Sequence, residues 1–260
     1  MRVLLIGDIV GEPGRKAVFR HIDRLRDEYT LDLIIGNGEN AAGGFGITQD
    51  IARDLFRQGI DVITTGNHAW DKREAIDFIR TEKRLLRPAN YPEGTPGSGS
   101  GIFTTAGGKQ VGVVQVMGRV FMHALDCPFK VAEREVARLR RETPVIIVDM
   151  HAEATSEKIA MGWHLDGKAS AVIGTHTHVQ TGDERVLPEG TGYLTDAGMT
   201  GPMNGVIGMK RELVLARFLT AMPKRFAVAS GPAVFCGAMV DVDSETGRCR
   251  SIKRIQLRDE

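Results

Sequence analysis

The chain has 260 residues, 42% of them hydrophobic and 26% charged, ordinary globular usage with enough length to bury a substantial core, so a single domain over 1–260 is expected. Its net charge is +1, with Lys and Arg scattered, which excludes the strongly positive field that stable nucleic-acid binding or an anionic membrane surface needs. No apolar run spans a membrane, the N-terminal one is too short for a signal-peptide core, and Cys127, Cys236 and Cys249 show no close pairing, so a cytoplasmic chain with reduced thiols is expected.

Residues 3–7 are β-branched and leucine-rich, predicting a buried strand. Glu12-Pro13-Gly14 then opens a helical pattern to about 29, with Val18, Ile22, Leu25 and Arg26 at helical spacing. A second strand over 31–38 leads to a helix over 48–58, with Thr48 as N-cap and Ile51 and Leu55 on one face. A third strand, 60–65, and a helix over 71–83 with Ala75, Ile76 and Ile79 inward follow. Residues 87–101 turn to Pro, Gly and Ser and predict a long loop, before a hairpin of 102–105 and 110–116 across 106–109. A helix over 129–141, a strand over 144–150, a helix over 156–165 and a strand over 171–174 resume the alternation. The last third holds a glycine-rich stretch, 190–208, a helix over 211–220, and a closing hairpin of 233–242 with 248–257. Parallel strands first and antiparallel ones later predict two stacked mixed sheets with helices outside, a layered α/β/β/α sandwich.

Five apolar runs end in chemistry. Asp8 follows 3–7, Glu39-Asn40 follow 33–38, Asn67-His68 follow 62–66, His151 follows 145–150, and Thr175-His176-Thr177-His178 follow 171–174. Strands of a parallel sheet end along a common edge, so these groups are expected around one point. Two acids, an amide and three imidazoles form a mixed oxygen and nitrogen donor set, suited to a pair of iron, manganese or zinc ions rather than to calcium or magnesium alone. Singly, each has a plainer reading: Asp8 as a helix cap, Glu39-Asn40 and Asn67 as turn residues, each histidine as a hydrogen-bonded structural group. Their ordered recurrence favours the metal reading.

Asp8 near the start, Gly66-Asn67-His68, the histidine after the fourth strand, and Gly174-Thr175-His176-Thr177-His178 resemble the calcineurin-like metallophosphoesterase signature. Gly7-Asp8-Ile9-Val10-Gly11, Asn37-Gly38-Glu39-Asn40-Ala41 and Thr65-Gly66-Asn67-His68 are more closely similar to the YmdB-like group within it, and the resemblance spans essentially the whole chain. It implies a first metal held by Asp8, Glu39 and His178 and a second held by Glu39, Asn67, His151 and His176, with Glu39 bridging. The chain departs from the wider superfamily twice, with Asp8-Ile9-Val10 in place of Asp-x-His and Glu39 in place of Asp. The amide oxygen of Asn40 is expected to take the place of the missing imidazole. His68, one residue beyond a ligand, is assigned as general acid. The implied reaction is attack of a metal-activated water on a small phosphodiester, with 2′,3′-cyclic nucleotides as the implied substrates. Alternatives are a phosphomonoesterase or protein phosphatase of the same superfamily, or a regulatory protein keeping a structural dimetal site. A homo-oligomer is compatible with the chain.

Gly43-Gly44-Phe45-Gly46 and Gly198-Met199-Thr200-Gly201-Pro202 are either ordinary loops or backbone brought close to a ligand, with Phe45 able to stack on a base. His21 and His164 are expected on helix surfaces and Trp70 and Trp163 in packing, while His123 has no assignment.

Overall fold

The structure, a computed structural model, describes residues 1–259. Strand β1 (Arg2–Ile6) and the short β2 (Asp8–Ile9) lead into α1 (Gly11–Tyr29), followed by β3 (Leu33–Asn37), α2 (Gln49–Arg57), β4 (Val62–Thr64), α3 (Arg73–Thr81) and β5 (Leu85–Leu86). The hairpin β6 (Ser100–Thr104) and β7 (Gln110–Met117) precedes α4 (Pro128–Leu139), β8 (Ile146–His151), α5 (Thr155–His164) and β9 (Ala171–Thr175). The chain closes with β10 (Arg185–Val186), β11 (Gly192–Leu194), β12 (Met199–Pro202), α6 (Arg211–Thr220), β13 (Ala233–Val242) and β14 (Cys249–Arg258).

Two mixed sheets result. In the first, β1, β3, β4 and β5 run parallel in that order. Antiparallel β13 borders β1, pairing Ile6 with Gly237, and takes β12 further along the same edge, pairing Gly201 with Val234, while β14 lies along its other edge. The second sheet runs β10-β11-β9-β8-β7-β6, with β7, β8, β9 and β11 parallel and the ends antiparallel.

Side chains alternate across a strand, and here the alternation divides each strand between two cores. Leu4, Ile6, Ile34 and Ile63 face outward against Val18, Ile22 and Leu25 of α1, Leu55 of α2 and Phe78 of α3. Val3, Leu5, Leu33, Ile35 and Val62 face inward, where they meet Val113, Ile147, Ala171 and Ile173 of the second sheet. The outer face of that sheet, Val114, Val116, Val148 and Val172, packs on Val131, Val136 and Leu139 of α4 and Met161 of α5. Buried on both sides, these strands read as continuous apolar runs. The expected α/β/β/α sandwich is therefore the observed one.

Local chemistry sets several boundaries. Thr48 caps α2 by accepting the Ile51 N–H at 3.3 Å. In α3 the inward stripe is Ala75, Phe78 and Ile79, so Phe78 replaces the expected Ile76, which sits at the edge of the stripe. The glycine-rich 190–208 stretch contains β11 and β12, and Asp8–Ile9 form a strand against Met199 and Thr200; such short pieces carry no periodicity of their own. His21 is not a free helix-surface group: it sits edge-on to Phe235 at 5.9 Å, and burial pushes its pKa down despite Asp259 at 3.5 Å. His164 likewise lies edge-on to Phe129 at 5.6 Å. Trp70 packs against the outer core, whereas Trp163 is 51% exposed, with the Arg185 guanidinium 5.7 Å from its ring centre. Among the described residues no helix is long and apolar enough to cross a membrane, and Cys127, Cys236 and Cys249 are free thiols.

Leu5, fully buried where the two sheets meet, tests this layering. Leu5→Ala is expected to lower unfolding stability by about 2–5 kcal/mol with an unchanged denaturant slope, read from urea unfolding.

Candidate metal centre

The carboxyl ends of β1, β3 and β4 in one sheet and of β8 and β9 in the other point to the same edge of the sandwich. All the residues expected at the site lie there. One donor atom from each of Glu39, His151 and His176 lies within 4.8 Å of the others, and the same holds for Asp8, Glu39 and His178. Glu39 belongs to both groups. Asn67 Oδ1 stands 3.0 Å from His151 Nε2, and Asn40 Oδ1 stands 3.3 Å from His178 Nε2. The plainer readings give way in two places. The α1 N-terminus takes no side-chain cap, and Asp8 instead accepts the His176 N–H at 3.1 Å. The turn after β3 is held by Asn37, whose Oδ1 accepts the Glu39 N–H, so the Glu39 carboxylate does not serve the turn.

The hydrogen-bond pattern tests whether cations fit. Thr175 Oγ1 gives its single hydrogen to Asp149 Oδ1 at 2.7 Å and therefore accepts from His151 Nδ1 at 2.9 Å. His151 Nε2 is left facing Glu39 Oε1 at 3.1 Å and Asn67 Oδ1 at 3.0 Å, a set of lone pairs that only a proton or a metal ion can join. His178 Nδ1 donates to the Ile207 carbonyl at 3.0 Å, and Asn40 Nδ2 donates to the Gly44 carbonyl at 2.9 Å. The imidazole nitrogen and amide oxygen that remain face each other as two acceptors. Burial lowers the pKa of His178, which favours the neutral ring a metal requires. Asp8 Oδ1 is buried with no hydrogen-bond partner, an orphan carboxylate oxygen of the kind a cation satisfies. Burial pushes the Asp8 pKa well up against the opposing attraction of His151. Burial also raises Glu39, yet His151, with His176 and His68, outweighs it and holds that carboxyl well below the usual range. The donor set thus fits two divalent cations sharing Glu39.

A supporting shell fixes the candidate donors. Asp149, fully buried in β8, accepts from Thr64 Oγ1 at 2.6 Å as well as from Thr175, and so aims His151. Asp196 and Lys158 form a buried ion pair at 2.6 Å, and the same carboxylate oxygen accepts from Thr177 N–H and Oγ1. Thr177 lies between His176 at φ 97° and His178 at φ 65°, left-handed conformations that cost non-glycine residues energy, so this tether holds a strained ligand turn. At Gly66 a Cβ would overlap Glu39 Oε2 and His151 Nε2, so only glycine leaves room for the donors. Asp149, Asp196 and Lys158 escape a sequence reading. The available signal is a lone charge inside an apolar strand, as Asp149 is between Val148 and Met150.

His68 lies beside the donors without belonging to either group. Its N–H reaches Glu39 Oε2 at 3.3 Å, its Nδ1 contacts Asp71 Oδ2 at 2.9 Å, and Phe45 meets its ring edge-on at 5.1 Å. Asp71 therefore turns Nε2 away from itself, an orienting residue not anticipated from the motif. Within the turn of Gly43 to Gly46, Phe45 lines a cleft of about 370 Å³ together with Glu39, Asn40, His68, His176 and His178. On the opposite side of His176, the exposed His123 borders a second opening with Asn67, Phe121 and Met122.

A family model described as "YmdB-like protein" matches residues 4–255. A 2′,3′-cyclic-nucleotide 2′-phosphodiesterase of Bacillus subtilis (strain 168) is 50% identical over 100% of this chain and 98% of its own. A hypothetical protein from Thermus thermophilus, known from its crystal structure, superposes with a TM-score of 0.91 at 46% identity, covering all of both chains. A crystal structure titled as a novel phosphatase of Mycoplasma pneumoniae gives a TM-score of 0.92 at 31% identity, covering 99% of this chain and 93% of that one.

Lys158→Met strands Asp196 as a buried unpaired charge. It is expected to cost about 3–5 kcal/mol in chemical denaturation and to weaken metal uptake measured by calorimetry, because the Thr177 tether loosens. In metal-free protein Asp8→Asn should stabilise the fold as pH rises. The raised Asp8 pKa gives a contribution that is complete below the unfolded carboxyl pKa, about 3.9, and is lost as pH climbs through the folded value. Thermal unfolding in chelator from pH 4 to pH 8 should show the variant's advantage growing across that window.

Proposed function

The chain belongs to the YmdB-like family, and from that premise we propose that it is a metal-dependent phosphodiesterase of small cyclic nucleotides, with 2′,3′-cyclic nucleotides as its substrates. The observation that carries this reading is the pair of three-donor groups meeting at Glu39. In it, Asp8, Glu39, Asn40 and His178 would hold one cation, and Glu39, Asn67, His151 and His176 would hold the other. The oxygen and nitrogen donors suit iron, manganese or zinc, and residues 1–260 act as one domain. Two cations bound there supply an activated water and neutralise the charge that develops on the phosphoryl oxygens.

The chain's own residues do the rest. The donors fix the geometry of the phosphoryl group through rigid strand ends, which lowers the entropic part of the barrier. His68, turned by Asp71, presents Nε2 to the cleft and gives its proton to the ribose 2′ oxygen as the bond from that oxygen to phosphorus breaks and water oxygen joins phosphorus. The product keeps its phosphate on the 3′ oxygen. An alkoxide is a poor leaving group, so a cyclic ribose diester gains much from this donor. The relative of known activity, named for cleavage at the 2′ position, supports the assignment.

A second reading, a phosphomonoesterase, is favoured by the phosphatase title of the Mycoplasma relative. Comparing bis-p-nitrophenyl phosphate with the mono-ester separates the two, and faster mono-ester hydrolysis would overturn the diesterase assignment. For the mechanism, His68→Ala is expected to lower kcat on a 2′,3′-cyclic nucleotide by about 100- to 10,000-fold. The loss on bis-p-nitrophenyl phosphate should be far smaller, because p-nitrophenolate leaves without a proton. Equal losses on both would remove His68 from the acid role.

A further inference from the structure

The cleft has a second end that phosphoryl chemistry does not use. Beyond the donors it is lined by Val206, Ile207, Met209 and Phe226, and by Phe45. This wall is built in: Lys210 N–H donates to Ala227 O at 2.8 Å, Ala229 N–H donates to Gly208 O at 2.9 Å, and the Ile207 carbonyl receives His178 Nδ1. A wall bonded to a metal ligand keeps a set position relative to the phosphoryl site. Over it stands Arg217 of α6, its guanidinium 5.2 Å from the Phe226 ring centre. Arg217 is exposed, lines the cleft, and has no carboxylate or other side-chain hydrogen-bond partner among the described residues. An acyl chain would use the apolar wall but leave the guanidinium idle, whereas a flat heterocycle with acceptors on its edge uses both.

We propose that this aromatic end is a nucleobase subsite in which the base lies between Phe45 and the wall of Ile207, Met209 and Phe226, and Arg217 reads the base edge, favouring guanine. The subsite rests on the diesterase reading above. Stacking accepts any base, since every base has a π-face. Selection comes from Arg217, whose planar fork matches the paired O6 and N7 acceptors of guanine, while adenine sets a donor in place of one of them. Stacked on Phe226, the guanidinium keeps its N–H edges free to donate in its own plane.

The test is kcat/KM of the metal-loaded full chain for the 2′,3′-cyclic phosphates of guanosine, adenosine, cytidine and uridine, in wild type, Arg217→Met and Phe45→Leu. Wild type is expected to prefer guanosine over adenosine by about tenfold, and Arg217→Met to bring that ratio to about one. Phe45→Leu should raise KM by about tenfold for every base while keeping the guanosine preference. A wild type without guanosine preference, or an Arg217→Met ratio equal to that of wild type, overturns the subsite while leaving the diesterase standing. A Phe45→Leu effect confined to kcat makes Phe45 only a brace for His68 and also overturns it. If wild type hydrolyses none of the four, the diesterase reading falls and the subsite falls with it. Arg217 lies on the exposed face of a surface helix, and circular dichroism checks that its variant folds.

Discussion

A carboxylate 1% exposed, set between two β-sheets, has to be compensated by positive charge, and the arrangement around Glu39 follows from that need. Little water reaches it to solvate the charge, and an uncompensated ion in such surroundings costs many kcal/mol. The chain answers with imidazoles at 3.1 and 4.0 Å and the His68 backbone N–H at 3.3 Å. Of these, His151 also confronts the Asn67 amide oxygen, and nearby His178 confronts that of Asn40, pairs of acceptors that a proton or a cation would join. A cation bound there would stabilise the fold, as at any site whose donors must shed protons to bind.

The sandwich keeps the entropic cost of this convergence low. Each donor follows a strand whose pleat is locked on both faces by core packing, so little freedom is left to lose on binding. Two sheets contribute because neither alone has enough strand ends at one point: β1, β3 and β4 bring the acids and Asn67, and β8 and β9 bring the histidines. The strain is concentrated in the turn after β9, where two histidines adopt left-handed backbone, and the buried Lys158–Asp196 pair restrains it through Thr177.

The cleft has a polar end with Glu39, Asn40, His68, His176 and His178 and an apolar end with Phe45, Ile207, Met209 and Phe226. Phe45 touches both, meeting the His68 ring while lining the cleft. The carbonyl of Ile207, a residue lining the apolar end, likewise accepts the hydrogen bond from His178. Couplings of this kind make the two ends non-additive on mutation.

The layered architecture and the set of polar residues that converge at one edge were legible in the sequence, because apolar runs ending in Asp8, Glu39, Asn67, His151 and His176 have period and composition that local physics specifies. Elements that lean on distant partners were not legible. Asp8–Ile9 become a strand only because Met199 and Thr200 arrive beside them, and α3 turns Phe78 inward because of where α2 and the first sheet lie. The same holds for Asp149, Asp196, Lys158 and Asp71, ordinary charges in one dimension whose work appears only when Thr175, Thr177 and His68 are brought to them. Residue type and periodicity are encoded locally, whereas which lone pair faces which, and what must lie between them, is decided by the meeting of segments far apart in the chain.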